Sequence, residues 1–174
     1  MTTLRRMTCN DLLTYNSVNL DILTETYHLP FYLTYLSTWP EYCQVAEGPG
    51  QQTMGYILGK AEGQGDLWHG HVTAVTVAPD FRRQHLAQKL MQILEDITEK
   101  VHNGYFVDLF VRSSNSMAIG MYTKFGYTTY RRVLGYYSGE EDALDMRKAM
   151  PRDVHRKSVV PLKHPIRPED LEFE

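Results

Sequence analysis

The longest regular pattern of apolar and polar positions lies between Val72 and Val101. Val75 and Val77 alternate with Ala74 and Thr76, which predicts a strand running into Pro79. After a short basic turn, Leu86, Leu90, Ile93, Leu94, Ile97 and Val101 recur with the period of a helix laid on a sheet. Upstream, Thr3 to Met7 reads as a short strand. Thr8, with Asp11 three residues on, predicts a capping box. The helix it opens carries Leu12, Leu13 and Leu20 and ends near Asn19. Asp21 to Pro30 is too polar and irregular for a core element. Phe31 to Trp39 follows as a second helix, opened by Pro30 and stopped before Pro40. Tyr42 to Glu47 and Met54 to Glu62 predict strands joined at Gly48-Pro49-Gly50, and Gly63-Gln64-Gly65 leads to a strand from Leu67 to Val77.

Tyr105 to Val111 is a nearly unbroken apolar run, as in a strand buried on both faces. Arg112-Ser113-Ser114-Asn115 caps a further helix with Met117, Met121 and Phe125 on one stripe, and Gly126 ends it. Tyr127 to Leu134 and Ala143 to Ala149 are the last strands. The resulting order is β-α-α-β-β-β-α-β-α-β-β, an α/β (α+β) chain with a mixed, mostly antiparallel sheet of about seven strands and about four helices on its faces. Residues 1–150 form this domain. The tail, residues 151–174, contains Pro151, Pro161, Pro165 and Pro168 and has no helical or strand period. It is expected to be extended, partly docked or mobile.

Composition narrows the classes of function. A chain of 174 residues is long enough for one domain with a real core, and 43% hydrophobic with 22% charged residues is globular usage. A net charge of −3 and a pI near 6.2 argue against direct nucleic-acid binding. No apolar run approaches the roughly 20 residues of a membrane span. The opening MTTLRRMTCNDLL has no apolar signal-peptide core. Cys9 and Cys43 make no disulfide framework, and the cytoplasm is the expected location.

Between the central strand and helix sits Arg82-Arg83-Gln84-His85-Leu86-Ala87. A helix start leaves backbone N–H groups unpaired and carries partial positive charge, and two arginines add full charges beside it. Such a turn suits a phosphate or pyrophosphate; the plainer reading is a strand–turn–helix with a solvated arginine pair. At these residues the sequence resembles the GCN5-related N-acetyltransferases (GNAT). Their acetyl-CoA loop reads Arg/Gln-x-x-Gly-x-Gly/Ala after a strand ending V-x-P. Arg82 and Ala87 match, and His85 stands where the family usually has glycine. A glycine lets the backbone approach the pyrophosphate closely, whereas another residue held at positive φ costs roughly 1–2 kcal/mol.

The resemblance implies the GNAT fold and acetyl-CoA as co-substrate, held by Val75, Val77, Arg82, Arg83, Gln84, His85, Leu86, Ala87 and Gln88. A second cofactor segment is similar too: Arg112-Ser113-Ser114-Asn115, then the helix with Tyr122. In that family the asparagine contacts CoA and the tyrosine hydroxyl reaches the thioester sulfur. Asn115 is therefore a cofactor contact, and Tyr122 both a cofactor contact and the candidate general acid. The alternative for Tyr122 is a tyrosine packed in the core.

Long stretches further resemble the catalytic subunits of N-terminal acetyltransferases of the NatB type: NLDILTETYHLPFYLTYLSTWPEY, MGYILGKAEG, DMRKAMPRD and PLKHPIRPEDLE. That resemblance implies nascent chains beginning Met-Asp, Met-Glu, Met-Asn or Met-Gln as substrates. It places Glu25, Tyr27, His71, Thr73, Tyr136 and Tyr137 in peptide-binding segments, where hydroxyl and imidazole donors suit an acidic or amide side chain. It also implies a large helical-repeat auxiliary subunit that docks the enzyme at ribosomes. The Phe31–Trp39 helix is a candidate contact for it, with a core role as the alternative.

His69 and His71 lie two apart in a predicted strand and so share a face. A zinc site wants at least three protein ligands, and Cys9 and Cys43 lie far off, so no metal is expected. His71 shares its face with Thr73 and Val75, which points it toward the expected cofactor cleft as a substrate contact and a base acting through water. His69 is expected to be structural. No buried carboxylate base is evident, which suits an α-amine better than a lysine, because the α-amine is far closer to neutrality at pH 7. The competing functions are a GNAT enzyme for lysine or small amines and a CoA-binding scaffold without turnover.

Overall fold

Glycine-marked turns and short alternating runs lay down the strands β1 (Thr3–Arg6), β2 (Gln44–Glu47), β3 (Thr53–Glu62), β4 (His69–Val77), β5 (Phe106–Arg112), β6 (Thr128–Tyr137) and β7 (Glu141–Ala149). The computed structural model describes residues 1–20 and 24–173; Asp21, Ile22 and Leu23, the head of the polar stretch expected to stay outside the core, lie outside the described residues. Among the described residues the seven strands follow the sheet order β1-β2-β3-β4-β5-β7-β6. The pairs β1–β2, β2–β3, β5–β7 and β6–β7 are antiparallel. This is the mixed, mostly antiparallel α/β sheet that the patterning predicts.

The chain packs as two compact units. The first comprises Met1–Lys60 and Val72–Ile97. Its capping box forms as expected, with the Thr8 backbone N–H donating to Asp11 Oδ2 at 2.7 Å. The helix expected after it does not. A 3-10 turn, Cys9–Leu13, is followed by one helical turn, α1 (Asn16–Asn19). Leu12 and Val18 are buried while Leu13 and Leu20 are exposed. A spacing of six cannot place Leu12 and Val18 on one side of a single straight helix, so the chain bends between them.

The next helix, α2 (Leu29–Thr38), takes Pro30 into its first turn. Tyr32 and Tyr35 are buried, and Phe31, Leu36 and Trp39 pack on the same core with Met7, Val45, Tyr56 and Leu58. Tyr32 and Tyr35 thus take the core alternative, while Leu29 and Leu33 of the same helix stay exposed, at 55% and 40%. The long helix α3 (Leu86–Lys100) buries Leu86, Leu90, Met91 and Leu94, whereas Val101, expected on the stripe, falls beyond its end and is exposed.

The second unit comprises Ala61–His71 and Thr98–Glu174. Gly65–Leu67 is a 3-10 turn, so the strand begins at His69 and not at Leu67. The helix α4 (Ser116–Lys124) buries Tyr122 and leaves Met117 81% exposed, so the expected methionine stripe sits one position away from the face that packs. The terminal hairpin is longer than expected: pairing continues to Tyr137 opposite Glu141, leaving Ser138, Gly139 and Glu140 as the turn. Tyr136 and Tyr137 are thus strand residues rather than part of a polar loop. The tail lies along β6. The Leu134 N–H donates to Ile166 O and the Ile166 N–H to Arg132 O, at 2.8 and 2.9 Å, while Arg131 grips Glu172 with two hydrogen bonds of 3.1 and 2.8 Å.

Candidate active site

In β5 one face carries Val107, Leu109 and Val111, and the other carries Phe106, Asp108 and Phe110. Asp108 is 4% exposed, and an isolated buried carboxylate is expensive unless it is paired. Two histidines of β4 supply the partners. His71 Nδ1 lies 2.7 Å from Asp108 Oδ1, and His69 Nε2 lies 3.5 Å from the same oxygen and 3.6 Å from Glu62 Oε1. His69 Nδ1 donates to Leu67 O at 2.6 Å. Burial alone would raise the Asp108 carboxyl, but the two histidines hold it well below its ordinary range. Burial works the other way on His69, yet Asp108 and Glu62 push it up to about 10.

The Asp108 arrangement corrects the expectation that no buried carboxylate stands beside the histidines. The signal was present: a lone aspartate inside an apolar run buried on both faces requires a counter-charge. Glu62, His69 and His71 bring one donor atom each within 4.8 Å of one another, a closeness that metal sites share. Both Nδ1 atoms hydrogen-bond to protein acceptors, Leu67 O and Asp108 Oδ1, and are thereby N–H donors.

Around His71 the rings form a line. Phe110 lies 5.7 Å from His71, Tyr136 stacks on Phe110 at 4.9 Å, and Tyr137 meets Tyr136 edge-on at 5.1 Å. Arg112 lies over the Tyr137 ring at 4.1 Å. Burial, then the charges of Asp108 and Glu62, raise the Tyr136 hydroxyl above its ordinary value, so it stays a neutral donor. The structure therefore brings His71, Tyr136 and Tyr137 together.

Tyr122 belongs to another set of rings, edge-on to Phe125 and Tyr127. Burial pushes its hydroxyl far above the ordinary value and keeps it protonated. Asn115 caps α4, its Oδ1 accepting from the Ala118 N–H at 3.2 Å. Ser114 and Arg112 both bond Glu141, which ties this segment to β7.

In the first unit, Thr73 Oγ1 donates to Tyr35 Oη at 2.7 Å, Tyr35 packs against Phe31, and Phe31 stacks on Tyr27 at 4.2 Å. Thr73 and Tyr27 are therefore joined through α2, with Glu25 exposed nearby in sequence. Val75 and Val77 stay half-buried on the face of β4 that carries Thr73.

The turn from β4 into α3 is exposed from Arg82 to His85, and Leu86 is buried as the first residue of the helix. Arg82 Nε donates to Val77 O at 3.3 Å. Arg83 and His85 both have positive φ, 63° and 60°. His85 thus adopts the backbone conformation in which the family places glycine, and its side chain points away from a buried setting. An exposed helix start flanked by two arginines, with Ala87 and Gln88 in the first turn, fits an anionic pyrophosphate.

The acetyltransferase (GNAT) family model matches residues 9–127. The chain is 67% identical to the N-terminal acetyltransferase B complex catalytic subunit of Arabidopsis thaliana, over 100% of both chains. Among solved structures it superposes on Chaetomium thermophilum Naa20 in complex with a bisubstrate analogue with a TM-score of 0.91 and 42% identity, covering 96% of this chain and 97% of that one. It also superposes on a NatB acetyltransferase complex bound to CoA and MES, with a TM-score of 0.79 and 42% identity, covering 86% and 99%. A family match over most of the domain, together with near-full-length relatives of this identity, leads to one conclusion: the chain belongs to the GNAT acetyltransferases and, within them, to the NatB catalytic subunits.

Proposed function

We propose that this chain transfers the acetyl group of acetyl-CoA to the α-amine of nascent chains beginning Met-Asp, Met-Glu, Met-Asn or Met-Gln. The observation that carries the reading is the 2.7 Å hydrogen bond between His71 Nδ1 and buried Asp108. That bond commits Nδ1 as a donor and leaves Nε2 as the acceptor of a proton from the substrate ammonium, directly or through one water. Acetyl-CoA, when bound, supplies a thioester carbonyl open to attack by the neutral amine. Arg82, Arg83 and the N–H groups at the head of α3 hold the diphosphate. The Tyr122 hydroxyl, kept protonated by burial, gives its proton to the departing sulfur and is restored by the proton that the acylated nitrogen sheds.

Tyr27, Thr73, His71, Tyr136 and Tyr137 offer the donors that a carboxylate or amide at the second position requires, without a full buried positive charge facing it. Glu25 orients the peptide amine. The relatives named above work as catalytic subunits of a complex, which supports a large helical-repeat auxiliary subunit as partner. Through that subunit the enzyme acts at the ribosome, in the cytoplasm. No helix of the described residues is long and apolar enough to cross a membrane.

The test is a peptide panel with acetyl-CoA, run with and without the auxiliary subunit. Met-Asp and Met-Glu peptides should turn over, with Ser-, Ala- and internal-lysine peptides near background. Indifference to the second residue, or preference for lysine, would replace this reading with a general amine acetyltransferase. CoA binding without any product would replace it with a scaffold.

A further inference from the structure

His69 lies outside the proposed reaction, yet it is 1% exposed and both of its ring nitrogens face only acceptors. Nδ1 meets Leu67 O at 2.6 Å. Nε2 meets Asp108 Oδ1 at 3.5 Å and Glu62 Oε1 at 3.6 Å, with no tighter hydrogen bond. A neutral imidazole would turn a lone pair toward two carboxylates, one buried and one half-buried, whereas an imidazolium attracts both. Phe106 stacks on the ring at 4.5 Å and nearly parallel, and Arg147 lies 4.5 Å over the Phe106 ring. Phe173 of the tail closes another side at 5.3 Å. The charged or titratable groups facing this pocket are Glu62 of β3, His71 of β4, Asp108 of β5, Tyr136 of β6 and the Asp145–Arg147 pair of β7.

We propose that His69 is a positioning residue held as a permanent imidazolium, and that its charge, shared through Asp108, sets how readily the neighbouring His71 takes up a proton. Asp108 is one anion with two histidine partners. While His69 keeps its proton, the carboxylate is half neutralised from behind. His71 then meets a hydrogen-bond acceptor that orients its ring without trapping a second proton on it. Glu62, 4.0 Å from His71 Nδ1 and 3.6 Å from His69 Nε2, acts on both rings with the opposite sign. The kinetic consequence rests on His71 being the proton acceptor proposed above; the state of His69 does not.

Two variants separate these charges. His69→Gln removes the cation and leaves Asp108 facing His71 alone, so His71 should titrate at higher pH. Glu62→Gln removes an anion and should move that titration the other way. At separations under about 5 Å, each change is expected to exceed roughly one pH unit. The primary readout is 15N NMR of the ring nitrogens, followed from pH 5 to 9 in the full chain. In the parent protein both His69 nitrogens should carry protons at pH 8. The acid limb of kcat/KM on a Met-Asp peptide should then shift with His71 in each variant, while KM for acetyl-CoA holds. A single protonated nitrogen on His69 at pH 8, or a His71 titration unmoved in Glu62→Gln, would overturn the proposal. Should His69→Gln fail to fold, the parent spectrum and Glu62→Gln still decide. His71 shifts without any peptide turnover would leave His69 as assigned and remove the acetyl-transfer reading instead.

Discussion

Gly70 lies between His69 and His71, and its missing side chain is occupied by another residue. A Cβ built there would fall 2.1 Å from Thr98 Oγ1, 3.0 Å from its Cγ2 and 3.1 Å from its Cβ. Thr98 is fully buried at the end of α3 and also fills the space beside Gly104, where a Cβ would meet its Cγ2 at 2.7 Å. Carbon atoms in contact prefer about 3.5–4.0 Å, so Gly70→Ala overpacks a site with no slack. The expected cost is about 3 kcal/mol, the upper part of the usual range for overpacking. Thr98→Ala alone loses a buried methyl and hydroxyl, at about 1–2 kcal/mol. In the double variant the two closest atoms are gone, and the remaining contact of 3.1 Å is relieved by a small shift. The pair should therefore cost about 2 kcal/mol rather than the sum, a coupling of about 2–3 kcal/mol. For a chain of this size, each kcal/mol lowers Tm by about 2–4 °C, so Gly70→Ala should melt roughly 6–12 °C early. Thermal and urea melts followed by circular dichroism measure all four proteins of the cycle. Additive losses would show that Thr98 is not what excludes a side chain from position 70.

The remaining expectations concern single residues. Tyr122→Phe keeps the ring packed on Phe125 and Tyr127, so Tm should hold while kcat falls about 10²–10⁴-fold, far more than acetyl-CoA affinity; equal losses in both would assign Tyr122 to packing. His85→Gly releases roughly 1–2 kcal/mol of left-handed strain against about 0.5–1 kcal/mol of added chain entropy. A Tm within a few degrees of the parent with CoA binding retained is expected, and lost CoA affinity would show that the imidazole itself is a ligand. The Arg5 guanidinium, at 2.8 and 2.9 Å, holds the Asp11 carboxyl below its ordinary value of 3.8. The stability it contributes is thus complete well above that ordinary value and lost progressively as pH falls through it to the lower folded value. Asp11→Asn should flatten the acid limb of a stability–pH curve; an unchanged slope would refute this.

How far the sequence speaks can be seen residue by residue. The alternation in β4 and the period of α3 are legible because each element has one buried face over many residues, and the pattern persists through local noise. Tyr122 and Met117 show the opposite. Over nine residues of α4 a methionine stripe and a tyrosine stripe differ by one position, and only packing decides which face is inside. The break after Leu13 was hidden for a related reason, since a good cap signals where a helix starts but not how long it runs. His85 is legible in both ways: the loop motif marks the position, and the structure supplies the positive φ that the missing glycine implies. Glu62, Asp108 and His69 come from β3, β5 and β4, and no local pattern links them. Only the lone charge in YFVDLFV hinted that a polar layer lies on one face of that strand.

The buried aspartate that the sequence alone did not reveal does not turn the chemistry toward lysine. Asp108 is held well below its ordinary range by two histidines, so it is a weak base and an effective anchor. The proton acceptor is left to an imidazole, the side chain whose charge changes between about pH 5 and 8. An α-amine of pKa about 7.7–8.0 lies within roughly 1 kcal/mol of its neutral form at pH 7, whereas a lysine near 10.4 lies about 4–5 kcal/mol away. An imidazole can close the first gap at little cost and cannot close the second without a strongly desolvating pocket for the ammonium. The groups gathered at His71, namely Asp108, Glu62 and the Tyr136 hydroxyl, would stabilise an ammonium and not discharge it. The charge balance around one aspartate thus favours the amine that is already nearly neutral, which is the amine at the start of a chain.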